Sequence, residues 1–158
     1  MADDDPLHAF EADHVELNDD VIEVVVMVEA MARMPHDRGI GVRLADRLAT
    51  LRDDLVMHFV REEEALFPGL SAELPSASDA IAELIALHDE ICATVARMVH
   101  MAEVPDRSVG LIPVFNRFET AYIKHAQAER ALFELAAARL TPVERSALAT
   151  KLRGPSSG

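Results

Sequence analysis

The sequence predicts an all-α chain, an up-down-up-down four-helix bundle with a short fifth helix at its C-terminal end. Three observations carry that reading. Half of the 158 residues are hydrophobic, yet there are one Tyr, six Phe, no Trp and only 6 Gly, so aliphatic residues and Met must fill the core, a mixture that suits helices better than a sandwich or barrel. Apolar residues recur at alternating steps of three and four over four long segments, the period of a helix with one buried face. Proline- and glycine-bearing breaks separate the segments, as in a bundle joined by short connections.

The elements follow in order. Asp5-Pro6 reads as an N-cap with proline at the first helical position, and helix 1 then runs from about Leu7 to Met34. Its stripe is Phe10, His14, Leu17, Val21, Val24, Val28 and Met31. Pro35 to Gly39 forms a loop. Helix 2 reaches about Phe67, with Leu44, Leu48, Leu51, Leu55, His58, Glu62 and Ala65 on its stripe, and Pro68-Gly69 is expected to stop it. Ser76 or Ser78 can cap helix 3, whose stripe is Ile81, Leu84, His88, Ile91, Val95, Met98 and Ala102. Pro105 to Gly110 breaks the chain again. Helix 4 carries Leu111, Phe115, Phe118, Tyr122, His125, Glu129, Leu132 and Ala136. Thr141-Pro142-Val143-Glu144 is a capping-box start for the fifth helix, which ends near Leu152. Residues 1–6 are expected to form a flexible N-terminus, 7–152 the bundle, and 153–158 a flexible tail.

Composition also narrows the function classes. A formal charge of -13 repels phosphate backbones and acidic membrane surfaces, which argues against nucleic acid and lipid as partners. The only cysteine, Cys92, excludes an internal disulfide and any cysteine-based zinc finger or iron-sulfur cluster. The acidic N-terminus lacks the apolar run of a signal peptide, and no stretch of about 18 apolar residues could span a membrane. A cytoplasmic location is the expectation.

The chemistry concentrates on the stripes. Each long helix places one histidine on its buried face, and two of them add a glutamate four residues later: His58-Phe59-Val60-Arg61-Glu62 and His125-Ala126-Gln127-Ala128-Glu129. Residues four apart stack on one helix face, so both H-x-x-x-E pairs point into the core. A lone histidine there is more often a hydrogen-bonded core residue than a ligand. Buried glutamate demands a partner, and two unpaired carboxylates would cost several kcal/mol, about the stability of a small domain. Counting residues to the helix ends places His14, His58, His88 and His125 at one level to within roughly 3 Å. Four imidazoles and two carboxylates are too many for one tetrahedral zinc and too rich in nitrogen for calcium or magnesium. They suit two redox-active transition metals, iron first, with manganese or zinc behind it.

In order, spacing and helical face, His14, His58-x-x-x-Glu62, His88 and His125-x-x-x-Glu129 resemble the hemerythrin/HHE cation-binding domain, over about Leu7 to Arg139. The resemblance implies two iron ions, with Glu62 and Glu129 bridging them, His14 and His58 on one iron, His88 and His125 on the other, and an oxo or hydroxo group as third bridge. The sequence departs from the oxygen-carrying hemerythrins, which use H-x-x-x-H on the third helix and H-x-x-x-x-D on the fourth. Here Cys92 follows His88 and Glu129 follows His125, which leaves four histidines and an open position on both irons. That variant is similar to di-iron proteins of nitric oxide and peroxide stress, and to the hemerythrin-like domain of an iron-sensing ubiquitin-ligase subunit. Iron-sulfur-cluster repair members usually add an N-terminal cysteine-bearing domain, so bacterial single-domain members are the nearer resemblance.

Two neighbours of the constellation carry two readings each. Cys92, one turn past His88, can approach the metal or act as a redox thiol, or be a small core hydrophobe. Tyr122, one turn before His125, can hydrogen-bond a ligand or bound oxygen species, or be a core aromatic with one satisfied hydroxyl. His8, His36 and His100 are expected at the surface, Glu63 and Glu64 in solvent. The function expected is chemistry on a small oxidant, hydrogen peroxide or nitric oxide, at a di-iron centre. Reversible oxygen binding or sensing, and iron sensing or storage, stand as alternatives.

Overall fold

A computed structural model describes residues 6–104 and 110–153, apart from the side chains of residues 6, 8 and 9. The Asp5 cap, the His8 side chain, most of the break after Val104 and the C-terminal tail therefore lie outside the described residues. Among the described residues six α-helices follow one another: α1 Pro6–Arg33, α2 Arg38–Arg61, α3 Phe67–Glu73, α4 Ser78–Glu103, α5 Leu111–Arg139 and α6 Pro142–Arg153. The four long ones, α1, α2, α4 and α5, make the bundle. Helix α2 packs against α1 and α4, and α4 against α5, while α1 and α5 meet along a looser seam. Helices α2 and α5 thus stand at diagonal corners.

Helix starts reflect local chemistry, and some differ from the expected ones. α2 begins at Arg38, inside the expected loop, because Asp37 caps it, its Oδ1 accepting from the amides of Gly39 at 2.9 Å and Ile40 at 3.2 Å. A Cβ on Gly39 would come within 3.2 Å of that same Oδ1, so glycine lets the cap sit close. Neither Ser76 nor Ser78 caps α4: the cap position is Ala77, at the end of a 3-10 turn Pro75–Ala77, and it makes no side-chain cap bond. The capping box at α6 is present, with Thr141 Oγ1 accepting from the Glu144 amide and the Glu144 carboxylate accepting from the Thr141 amide.

The larger correction lies at Pro68-Gly69, which does not stop the second segment. A π turn, Glu62–Leu66, joins α2 to α3, and Pro68 falls in the first turn of α3, directly after the π turn. The wider turn also shifts the phase of the stripe, so Leu66 is fully buried and the expected Ala65 only partly. Gly69 is small because α6 passes over it: a Cβ there would fall 2.6 Å from Leu148 Cδ1.

Apolar packing divides into two clusters. One contains Leu17 to Met31, Ile40 to Phe59, Ile91 to Ala102 and Leu111 to Ala121. The other gathers Leu7, Phe10, Leu66 to Leu74, Ile81, Leu84, Leu132 to Leu140 and Leu148 at the opposite end. Along every long helix the stripe histidine falls between them, so the four histidines with Glu62 and Glu129 form one layer sandwiched by two hydrophobic ones.

Candidate metal centre

That layer contains all six sequence-predicted ligands. His58, Glu62, His88, His125 and Glu129 are buried, with Glu62 at 0% and Glu129 at 1% exposure, while His14 is partly open at 27%. The two i, i+4 pairs close as helix geometry requires: His58 Nε2 lies 2.7 Å from Glu62 Oε1, and His125 Nε2 lies 3.5 Å from Glu129 Oε2. Across helices the imidazoles meet in pairs. His14 Nε2 is 3.0 Å from His58 Nε2, and His88 Nε2 is 2.9 Å from His125 Nε2.

Glu62 divides itself between the pairs. Its Oε1 faces His58 and, at 3.6 Å, His14; its Oε2 faces His88 at 3.0 Å and His125 at 3.9 Å. Glu129 reaches both sides with a single oxygen, Oε2, 3.0 Å from His14 and 3.5 Å from His125. Two donor groups result, His14, His58, Glu62 and Glu129 on one side and Glu62, His88 and His125 on the other, with donor atoms of each within 4.8 Å of one another. Glu62 belongs to both.

The electrostatics ask for cations here. No hydrogen bond reaches either oxygen of Glu62 or Glu129, and buried carboxylates so placed are costly unless a charge compensates them. Burial opposes a charge on His14, but the carboxylates of Glu129 and then Glu62 outweigh it and push its pKa up to about 10, so without metal an imidazolium supplies a positive charge. Burial raises Glu62 too, yet the four facing imidazoles overcome it and hold the carboxyl well below its ordinary range. Burial first, then its neighbour Glu62, pushes Glu129 well above. Burial keeps His125 below its usual value, in the neutral form whose lone pair can bind a metal. Imidazole and carboxylate donors in two overlapping groups fit a pair of borderline transition-metal ions.

Aromatic rings hold the imidazoles in place. His88 lies flat against Phe59, centroids 3.8 Å apart and planes within 10°, with Phe67 at 5.7 Å and 16°. His14 stacks on Phe133 at 6.3 Å. Two outer carboxylates look back at the ring nitrogens that face away from the centre: Asp13 Oδ2 is 3.6 Å from His58 Nδ1, and Glu63 Oε1 is 3.6 Å from His88 Nδ1. Glu63 is thus half-buried rather than solvated, because the π turn that begins at Glu62 swings the next residue inward; Glu64 is exposed as expected. Asp13 was legible only as the neighbour of His14, and it also accepts from Arg61 Nη1 at 2.8 Å.

Cys92 sits half-buried beside the first apolar cluster and belongs to neither donor group. Burial, then Asp89 and Glu63, raises its thiol pKa, which disfavours the thiolate. Tyr122 is half-buried and its hydroxyl donates to Asn18 Oδ1 at 2.5 Å, tying α5 to α1. His36 and His100 are exposed. A cavity of about 480 Å³ opens along the α1–α5 seam, and its lining includes His14, His58, His125, Glu129, Asn18 and Tyr122. It touches neither Glu62 nor His88.

An all-helical bundle with two histidine-and-carboxylate donor groups buried at mid-height defines a metal-binding four-helix protein. The chain belongs to the hemerythrin HHE cation-binding domain family, whose model matches residues 5–137. Among curated proteins it is similar to the "Iron-sulfur cluster repair protein YtfE" of Dickeya chrysanthemi (strain Ech1591), at 40% identity over 47 residues. That stretch is 29% of this chain and 21% of the relative, so the chain spans only a small part of that protein's length. No solved structure matches the chain. Among the described residues, no helix is long and apolar enough to cross a membrane.

Proposed function

We propose that the chain holds two iron ions, bridged by Glu62 and Glu129, and acts on a small oxidant, with hydrogen peroxide and nitric oxide as the candidate ligands. The observation that carries this reading is the cavity that ends on His14, His58, His125 and Glu129. A buried store or a structural ion would need no such opening. Two adjacent irons would supply redox equivalents and Lewis acidity to a ligand entering there. The protein's own part is to seal one side and open the other. Phe59 and Phe67 cover His88, whereas His14 meets the cavity with only Phe133 stacked beside it. Tyr122 contributes a hydroxyl to the cavity wall; burial, then Glu129 and Asp20, pushes its pKa up to about 12, so it stays a hydrogen-bond donor at neutral pH. The likeness to a protein named for iron-sulfur cluster repair supports iron chemistry without assigning that repair to this chain.

Iron-loaded protein mixed with hydrogen peroxide, and separately with nitric oxide, tests the reading. Catalytic loss of peroxide with gas release, or turnover of nitric oxide, is the expected result. A stable coloured adduct formed with oxygen, with peroxide untouched, would establish carriage instead. A protein that takes up a single zinc and no iron overturns the di-iron reading altogether.

A further inference from the structure

A second opening approaches the centre from the other side, between α1 and α2. This groove of about 180 Å³ is lined by Asp13, Glu16, Asp20, Asp54, His58 and Arg61, among others. We infer that it is a loading site for a hydrated divalent cation, which enters the centre past His58. The inference rests on the proposal that the centre binds metal, and adds the route by which metal arrives.

Charge is the first observation. Four carboxylates face one guanidinium, and Arg61 is already engaged, bonded to Asp13 at 2.8 Å and lying over the Phe10 ring at 5.5 Å. The next cation, Arg47, is bonded to Glu23 at 3.1 Å. Asp20 and Asp54 are close enough to repel: burial and then the Asp54 charge raise the Asp20 pKa, and Arg47 offsets this only in part. A groove of one sign concentrates counter-ions of the other and raises their arrival rate.

The second observation is His58, which links the groove to the centre. Its side chain is 4% exposed, and its Nδ1 makes no hydrogen bond. That nitrogen points to the groove side, 3.6 Å from Asp13 Oδ2, while Nε2 of the same ring lies 2.7 Å from Glu62 Oε1 inside. One imidazole therefore separates the acids outside from the donors within, with Asp13 as the last carboxylate before it. Among the described residues the groove supplies no group of three donors within 4.8 Å. A cation there keeps most of its water and is held loosely, which suits passage rather than storage. In the α1–α5 cavity three carboxylates, Glu11, Glu129 and Glu134, face Arg130, one acid fewer than in the groove.

The test uses cobalt(II) added to metal-free protein, with binding followed by its visible absorption. The Asp20→Asn/Asp54→Asn double variant should load about tenfold more slowly than wild type, the low end of the range for electrostatic steering, and reach the same cobalt content per chain. Glu83→Gln/Glu103→Gln, which removes two charges from exposed positions on α4, should load at the wild-type rate. Circular dichroism of the metal-free variants checks that each folds. Unchanged loading in the groove variant overturns the inference, as does equal slowing in the α4 control, which would make it a net-charge effect. A lower final content would place Asp20 and Asp54 in the centre itself and overturn the route. If wild type binds no cobalt, the metal reading fails together with the inference.

Discussion

Glu62 Oε1 lies 2.7 Å from Nε2 of His58, one turn earlier on the same chain segment, and both residues are buried. The other oxygen of that carboxylate faces His88 at 3.0 Å. Its placement between two imidazole pairs is the geometry on which the proposed bridging role of Glu62 rests. Glu62→Ala is expected to compromise both positions, leaving well under one metal per chain. His14→Ala should mainly weaken the position shared with His58 and leave the His88/His125 position partly filled. Metal analysis together with anomalous diffraction on the loaded variants measures both outcomes; full occupancy and an unchanged spectrum in Glu62→Ala would remove the bridging role.

Metal should stabilise the bundle strongly. Binding to the folded state alone adds RT ln(1 + [L]/Kd), about 4 kcal/mol at a thousandfold excess over Kd. It also compensates two carboxylates whose oxygens otherwise lack hydrogen bonds. Thermal melting of metal-free and loaded protein should differ by several degrees or more. Coincident melts would make the metal peripheral to the fold.

The fold was legible because helical periodicity and a buried layer of histidines and glutamates reinforce each other. His14, His58, His88 and His125 could be placed at one level by counting residues, since a straight helix has a fixed rise. What escaped was local. The π turn from Glu62 to Leu66 breaks the 3.6-residue period on which the stripe depends, and so the departures from the expected stripe, Leu66 in place of Ala65, the inward swing of Glu63 and the continuation through Pro68, all fall at one place. Asp13 escaped for a different reason: a carboxylate facing a neighbouring helix's histidine has no signature along its own. The cavity along the α1–α5 seam, likewise, depends on how tightly two helices pack, which no single stripe encodes.

Without metal, pH should act in an unusual direction. His14 is pushed up to about 10 in the folded protein from 6.5, so its contribution is complete below pH 6.5 and lost as pH rises toward 10. Glu129, raised by burial from 4.5, resists the ionisation available to it when unfolded, and this also lowers stability as pH rises above 4.5. Glu62, held low, contributes fully above pH 4.5, and His125, lowered from 6.5, gains nothing further once pH passes that value. From pH 6.5 toward 10 the net slope is therefore negative. Metal takes the place of these protons, so the loaded protein should show a flatter profile. Denaturant titrations across that range, on both forms, decide whether the slopes differ.

The final prediction concerns Glu63, which stands 3.6 Å behind His88 Nδ1. When His88 binds metal through Nε2, its Nδ1 must carry the proton, and a carboxylate facing that N–H fixes the tautomer and makes the ring a better donor. Loss of such an outer partner typically costs between about 10-fold and 100-fold in metal affinity. Glu63→Gln preserves size and removes the charge, so it should weaken metal at the His88/His125 position by about tenfold and leave the His14/His58 position near wild type. Because Glu63 is half-buried at the π turn, the metal-free stability of the variant should change little. Competition with a chelator, read by metal content at each position, measures the loss. Equal weakening of both positions would show a general effect of surface charge, and no weakening would show that His88 is held by its stacking on Phe59 alone.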